Sequence, residues 1–217
     1  MAQSPDFKTV AEQLVQTARW AARMGWAPAT STNYSVRLPD DAAPEYCAIT
    51  SSGVDKAAIE VEHILAVDQQ GRAMDGNGLT PSAETPLHLL LYRRMGAGAV
   101  LHTHSLPAAL LSQLARNEGR IVLSGWELLK GLNGVHSHEA EVSLPIFQNS
   151  QDMQALSLRV DQSLSTEQSY YGFLLAGHGL YVWGKDLPEA RRHLEVFEYL
   201  LQCQREVTFH GHTANTR

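Results

Sequence analysis

A layered α/β domain with a mixed or largely antiparallel sheet is what this sequence predicts, on two observations. Strand-like and helix-like segments intermix without the strict βα repeat that an all-parallel sheet requires. Apolar residues make up 44% of the 217, an ordinary share for a globular protein with a sizeable core, and no internal repeat, low-complexity linker or charge block interrupts them. A single domain over 1–217 is the simplest organisation, with about 208–217 expected as a polar, frayed tail.

The elements follow in order. Residues 7–24, FKTVAEQLVQTARWAARM, carry apolar side chains at helical spacing and stop at Gly25. The hydroxyl-rich ATSTNYSVRL (29–38) leads into a short strand, and EYCAIT (45–50) is a second one. SSGVDKAAI reads as a turn followed by a short helix start, and ILAVD (64–68) as a third strand. Residues 82–95 form a helix with Ser82 as N-cap and Pro86 in the first turn. GAGAVLHTHS is a strand, 106–116 a helix, RIVLS a strand running into GWELLKGL, EVSLPIF a strand and 153–164 a helix. YGFLLAGHGLYVWG holds two short strands around a glycine turn, and an amphipathic helix from 187 to about 207 closes the pattern.

Composition excludes several classes. A net charge of -6 argues against a large nucleic-acid footprint. No apolar run approaches the roughly 20 residues of a membrane span, and MAQSPDFKTV lacks the apolar stretch of a secretory signal. Two distant cysteines, Cys47 and Cys203, make no disulfide framework, so a reducing, cytoplasmic setting is expected.

The chemistry concentrates in AVLHTHS (99–105). Strand side chains alternate faces, so His102 and His104 point the same way, about 7 Å apart along the strand. His178, between two glycines after another apolar strand, completes three nitrogen ligands, the pattern of a catalytic metal site with an open position. A second H-x-H, His136 and His138, sits in a loop with no strand to fix its geometry. His63, His88 and His193 fall in helix-like segments as surface or packing residues, and His210 and His212 in the tail. Two carboxylates stand out by position: Glu84 just before the H-x-H strand, and Glu127 after a strand and a glycine. Each also reads as a helix-start carboxylate favoured by the macrodipole.

PSAETPLHLLLYRRMGAGAVLHTHS, WELLKG and GHGLYVWG together resemble the class II aldolase/adducin family over about residues 10–205. The resemblance implies a three-layer α/β/α domain around a mixed, mainly antiparallel sheet, and a homotetramer with sites near subunit interfaces. It implies one zinc ion per subunit on His102, His104 and His178. WELLKG resembles the dehydratases of the family. The implied reaction is therefore loss of water from a methylthio-substituted ketose phosphate in methionine salvage, with Glu127 as acid/base. Glu84 matches the glutamate of the sugar-phosphate aldolases, which keeps carbon–carbon cleavage as the alternative. A non-catalytic adducin-like module would lack the histidine triad present here. The family's phosphate site maps onto Thr32, Asn33, Ser51, Ser52, Gly53 and Ser82. Lys56 or Lys130 could add charge, and the sequence does not choose between them.

Overall fold

The computed structural model describes residues 6–39, 46–74, 78–164 and 170–210. Its eight strands are β1 (Asn33–Arg37), β2 (Cys47–Thr50), β3 (Ile64–Val67), β4 (Ala99–Thr103), β5 (Arg120–Leu123), β6 (Val142–Phe147), β7 (Gly172–Leu175) and β8 (Gly179–Gly184). They form one sheet in the order β3-β2-β1-β4-β8-β7-β6-β5. Every neighbouring pair is antiparallel except β6 and β7.

The helices are α1 (Phe7–Arg23), α2 (Thr85–Met95), α3 (Leu106–Leu114), α4 (Met153–Ser163) and α5 (Leu187–His210). Side-chain caps start three of them: Asp6 accepts from Thr9 N at 2.8 Å, Ser105 from Ala108 N at 3.2 Å and Asp152 from Ala155 N at 3.0 Å. Gly96, at φ 62°, ends α2 in the left-handed conformation that a Cβ disfavours.

Strand alternation divides the interior into two cores. Tyr34, Leu101, Leu180 and Val182 face the layer that includes α1 and α5, whereas Val100, Phe173, Tyr181 and Trp183 face the layer that includes α2 and α4. The result is the expected α/β/α sandwich with a mixed, mainly antiparallel sheet. No described helix is long and apolar enough to cross a membrane.

Three local expectations change. The segment after Gly53 forms turns, and a single 3-10 turn, Val61–His63, comes only afterwards. The N-cap position of α2 is Glu84; Ser82 lies outside the helix, where its Oγ accepts from Glu84 N at 3.2 Å. The closing helix continues through residues 208–210, where Thr208 Oγ1 donates to Gln204 O. Glu45 and His212 lie outside the described residues.

Candidate active site

The site grows from one row across the middle of the sheet. Asn33 on β1 pairs in register with His102 on β4, and His102 pairs with Tyr181 on β8. All three point to the side that α2 covers, and the Tyr181 ring stacks on the His102 ring at 3.9 Å between centroids. His104 follows just past the end of β4. His178 is delivered by the tight turn between β7 and β8, where a Cβ on Gly179 would lie 2.0 Å from Thr103 O. Only glycine lets that turn approach the H-x-H strand so closely.

The three Nε2 atoms converge: His104 to His102 is 2.7 Å, His178 to His104 is 2.8 Å, and His102 to His178 is 3.4 Å. Glu84, at the head of α2, brings Oε1 to 3.3 Å from His178 Nε2 and Oε2 to 3.5 Å from His102 Nε2. Among the described residues these four are the group of ligand-type side chains whose atoms all lie within 4.8 Å of one another.

Their chemistry fits a cation. His102 Nδ1 donates to Leu180 O at 3.0 Å, which leaves Nε2 as a lone pair aimed into the cluster. His178 Nδ1 points likewise at Asn149 Oδ1, 3.4 Å away. Burial pulls all three imidazoles below their ordinary value, His102 furthest and His104 to about 4. They are therefore neutral ligands near pH 7. Unprotonated nitrogens this close repel unless a cation lies between them; nitrogens on one tetrahedral ion stand about 3.3 Å apart.

The other sequence candidates separate by position. Asn33 is buried, and both ends of its amide are engaged: Nδ2 donates to Glu84 Oε2 at 2.8 Å and to Ser82 Oγ at 3.1 Å, while Oδ1 accepts from His88 Nε2 at 2.5 Å. Thr32 and Ser51 are buried; the Ser51 hydroxyl has no protein partner, the Thr32 hydroxyl faces the Tyr34 phenol, and Thr32 holds a left-handed φ of 74°. Ser52 is exposed, and its N–H goes to Thr80 O. Gly53 turns the same loop at φ 75°. Lys56 is fully buried; its Nζ donates to Val54 O at 2.8 Å and Thr30 O at 3.5 Å, joining the 28–33 and 50–56 loops. Burial lowers it to about 8, and its charge helps to hold down the nearby His104. Lys130, by contrast, is partly exposed and pairs with Glu127.

Glu127 opens a 3-10 turn, Glu127–Gly131, with its side chain 72% exposed. It meets Lys130, and His138 Nδ1 at 3.9 Å, rather than the cluster. The hydrogen bond from Lys130 holds it below the usual carboxylate range. His136 and His138 are exposed in their loop. His193 is buried, donating from Nδ1 to Trp183 O at 2.8 Å and accepting from Asn133 N at 3.2 Å.

Sequence reasoning set His88 aside as a surface or packing residue and did not single out Tyr181 or Asn149. Tyr181 was legible in part, because it lies on the strand that follows the His178 turn. His88 was not, because its partners lie 53 and 55 residues away.

Sheet, layers and cluster mark a metal-site domain of the aldolase type. The chain belongs to the class II aldolase and adducin family, whose profile matches residues 12–205. It is 48% identical over 199 residues to a methylthioribulose-1-phosphate dehydratase of Xanthomonas euvesicatoria pv. vesicatoria, covering 91% of this chain and 89% of that one. It is 47% identical over 204 residues to a protein of the same name in Stenotrophomonas maltophilia, covering 93% of each. In structure it is similar to an L-fuculose-1-phosphate aldolase of Thermus thermophilus, with TM-score 0.71 and 25% identity over 92% of this chain and 95% of that one.

Proposed function

We propose that this chain is a cytoplasmic, zinc-dependent hydro-lyase. It removes water from 5-methylthioribulose 1-phosphate and yields 5-methylthio-2,3-dioxopentyl phosphate in methionine salvage. The observation that carries the reading is the cluster of three neutral imidazoles with Glu84 beside them, in a chain 48% identical to a methylthioribulose-1-phosphate dehydratase. His102, His104 and His178 hold one zinc per subunit; nitrogen donors with a position left open suit that ion. Bound there, zinc supplies Lewis-acid polarisation of the substrate's oxygens.

The chain's own groups do the rest. Thr32, Ser51, Ser52 and Gly53 seat the phosphate. The buried Ser51 hydroxyl has no protein partner and is free to bond a ligand, and Lys56 adds charge at the loop junction. Asn33, which donates to Glu84 Oε2, orients that carboxylate at the edge of the same seat, and Ser82 Oγ accepts from both Asn33 Nδ2 and the Glu84 backbone N–H. Two carboxylates share the proton chemistry, worth roughly 10²–10⁴-fold each way. Glu84, at the cluster, takes the proton from C3, beside the C2 ketone. Glu127 gives a proton to the C4 hydroxyl, which departs as water, and the remaining C3–C4 enol ketonises as its hydroxyl proton is exchanged for one on C4. Its exposure, on a face with Leu128 39% and Tyr199 54% exposed, supports delivery from a neighbouring subunit of a homotetramer.

Glu84 at the cluster also supports a second reading, cleavage of the C3–C4 carbon bond by a sugar-phosphate aldolase. Products decide between them. Authentic methylthioribulose 1-phosphate should give the diketone phosphate, and the dephosphorylated sugar should be a very poor substrate. Release of dihydroxyacetone phosphate and an aldehyde would transfer the assignment to the aldolase.

A further inference from the structure

A line of hydrogen bonds runs from the α2 core into the cluster, and it has a direction. Glu84 as a carboxylate only accepts, so Asn33 must present its NH2 to Glu84 Oε2 and its carbonyl to His88. His88 must then carry its proton on Nε2 and accept at Nδ1. Ser35 Oγ, 2.7 Å from Nδ1, is the donor there, and Tyr92 OH, 2.5 Å from Ser35 Oγ, donates in turn. Every member is nine-tenths buried or more except Glu84 at the site end. With Glu84 ionised, its acceptor-only oxygens fix the direction of every link behind it. A flipped Asn33 would set its carbonyl against the Glu84 carboxylate, acceptor to acceptor, whichever ring nitrogen of His88 carries the proton.

We propose that His88 is a positioning residue: from inside the core it fixes the amide of Asn33, and through Asn33 the seat of the Glu84 carboxylate at the histidine cluster. His88 does not itself carry a proton in the reaction. Its edge packs against the Tyr181 ring, 5.8 Å between centroids, and burial pulls the imidazole down to about 3, so it stays neutral. Its contribution is orientation. A carboxylate whose one oxygen is pinned by an amide cannot rotate away from the C3 proton, whereas an unpinned one samples rotamers that miss it. The inference rests on the cluster being the catalytic metal centre.

The experiment combines nitrogen-15 NMR of the histidine rings with two variants, each assayed for metal content, thermal midpoint, kcat and KM. The parent should show His88 as the Nε2–H tautomer with a far-downfield ring proton, and Asn33→Ala should remove that shift. His88→Leu should keep its fold and about one metal per chain while kcat falls roughly tenfold or more and KM stays within about twofold, the scale at which lost outer hydrogen bonds act. His88→Gln, which can donate to Asn33 and accept from Ser35, should recover most of the loss. An Nδ1–H tautomer overturns the proposal outright. So does a His88→Gln variant no better than His88→Leu, or a loss of kcat that tracks lost metal. Should His88→Leu not fold, the tautomer and the Gln variant still decide. Should the parent turn over no ketose phosphate, the proposed function fails, while the tautomer still tests the line of bonds.

Discussion

Glu84 and Glu127 begin in the same sequence setting, a carboxylate at the first position of a helical turn, and end in opposite surroundings. Glu84 lies where α2 meets the central row of the sheet, 14% exposed, held by Asn33 and facing two imidazoles. Glu127 follows β5, one of the two edge strands, and its partner is Lys130 on the same turn. The contrast teaches that position in a helix says little about a carboxylate's task; the neighbours brought from far along the chain decide it. Glu84 is oriented by donors and is ready within its own subunit. Glu127 is held deprotonated by a lysine, the reverse of what a proton donor needs. It becomes an acid only if a further surface displaces water and loosens that pair.

The largest effect should come from the ligands. His102→Ala, His104→Ala or His178→Ala should each strip the metal and with it nearly all turnover, whereas His136→Ala and His138→Ala should retain about one metal per chain by elemental analysis. The comparison sharpens next with mixed oligomers. Glu84→Gln and Glu127→Gln should each keep fold and metal while kcat falls by roughly 10²-fold or more. Subunits carrying Glu127→Gln, co-assembled with subunits carrying His104→Ala, should regain activity, because hybrid sites then combine an intact cluster with an intact Glu127. The same mixture made with Glu84→Gln should stay inactive. Equal behaviour of the two mixtures would return Glu127 to its own subunit or remove it from the reaction.

The smallest effects concern pH. The unfolded chain binds protons at its histidines from about pH 6.5 downward, while folded His104 resists to about 4. The metal-free protein should therefore lose stability as pH falls through that window, as measured by denaturant midpoints. Lys56 acts at the other end. With a folded value near 8 against 10.5 unfolded, it makes the fold more stable as pH rises from 8 to 10.5. A phosphate ester binding beside it should raise that value, so calorimetry near pH 8.5 should record proton uptake, abolished in Lys56→Gln. Proton release instead would put the phosphate elsewhere.

The layered sheet was legible because alternation and turn residues are local signals. The convergence of His102 and His104 was legible for the same reason, since a strand puts residues two apart on one side. What stayed hidden depends on long-range packing. Nothing local separates Lys56 from Lys130, yet one is enclosed by two loops and the other partly exposed. The spacing within α2 marks His88 only as inward-facing. Its partners Ser35 and Asn33 lie on β1, and nothing local reveals which helix will cover that strand. Glu84 was ambiguous because the macrodipole alone accounts for a carboxylate there; Asn33 and the histidines meet it only after the sheet has assembled.

The row Asn33–His102–Tyr181 takes one residue from each of three adjacent antiparallel strands. A slip of one residue in either pairing would turn a member of the row to the opposite side of the sheet. The ion site therefore acts as a proofreader of assembly. Only a chain whose β4 and β8 have zipped in the correct alignment brings His178 to His102 and His104, so a metal held by the three would stabilise that alignment over its misaligned competitors.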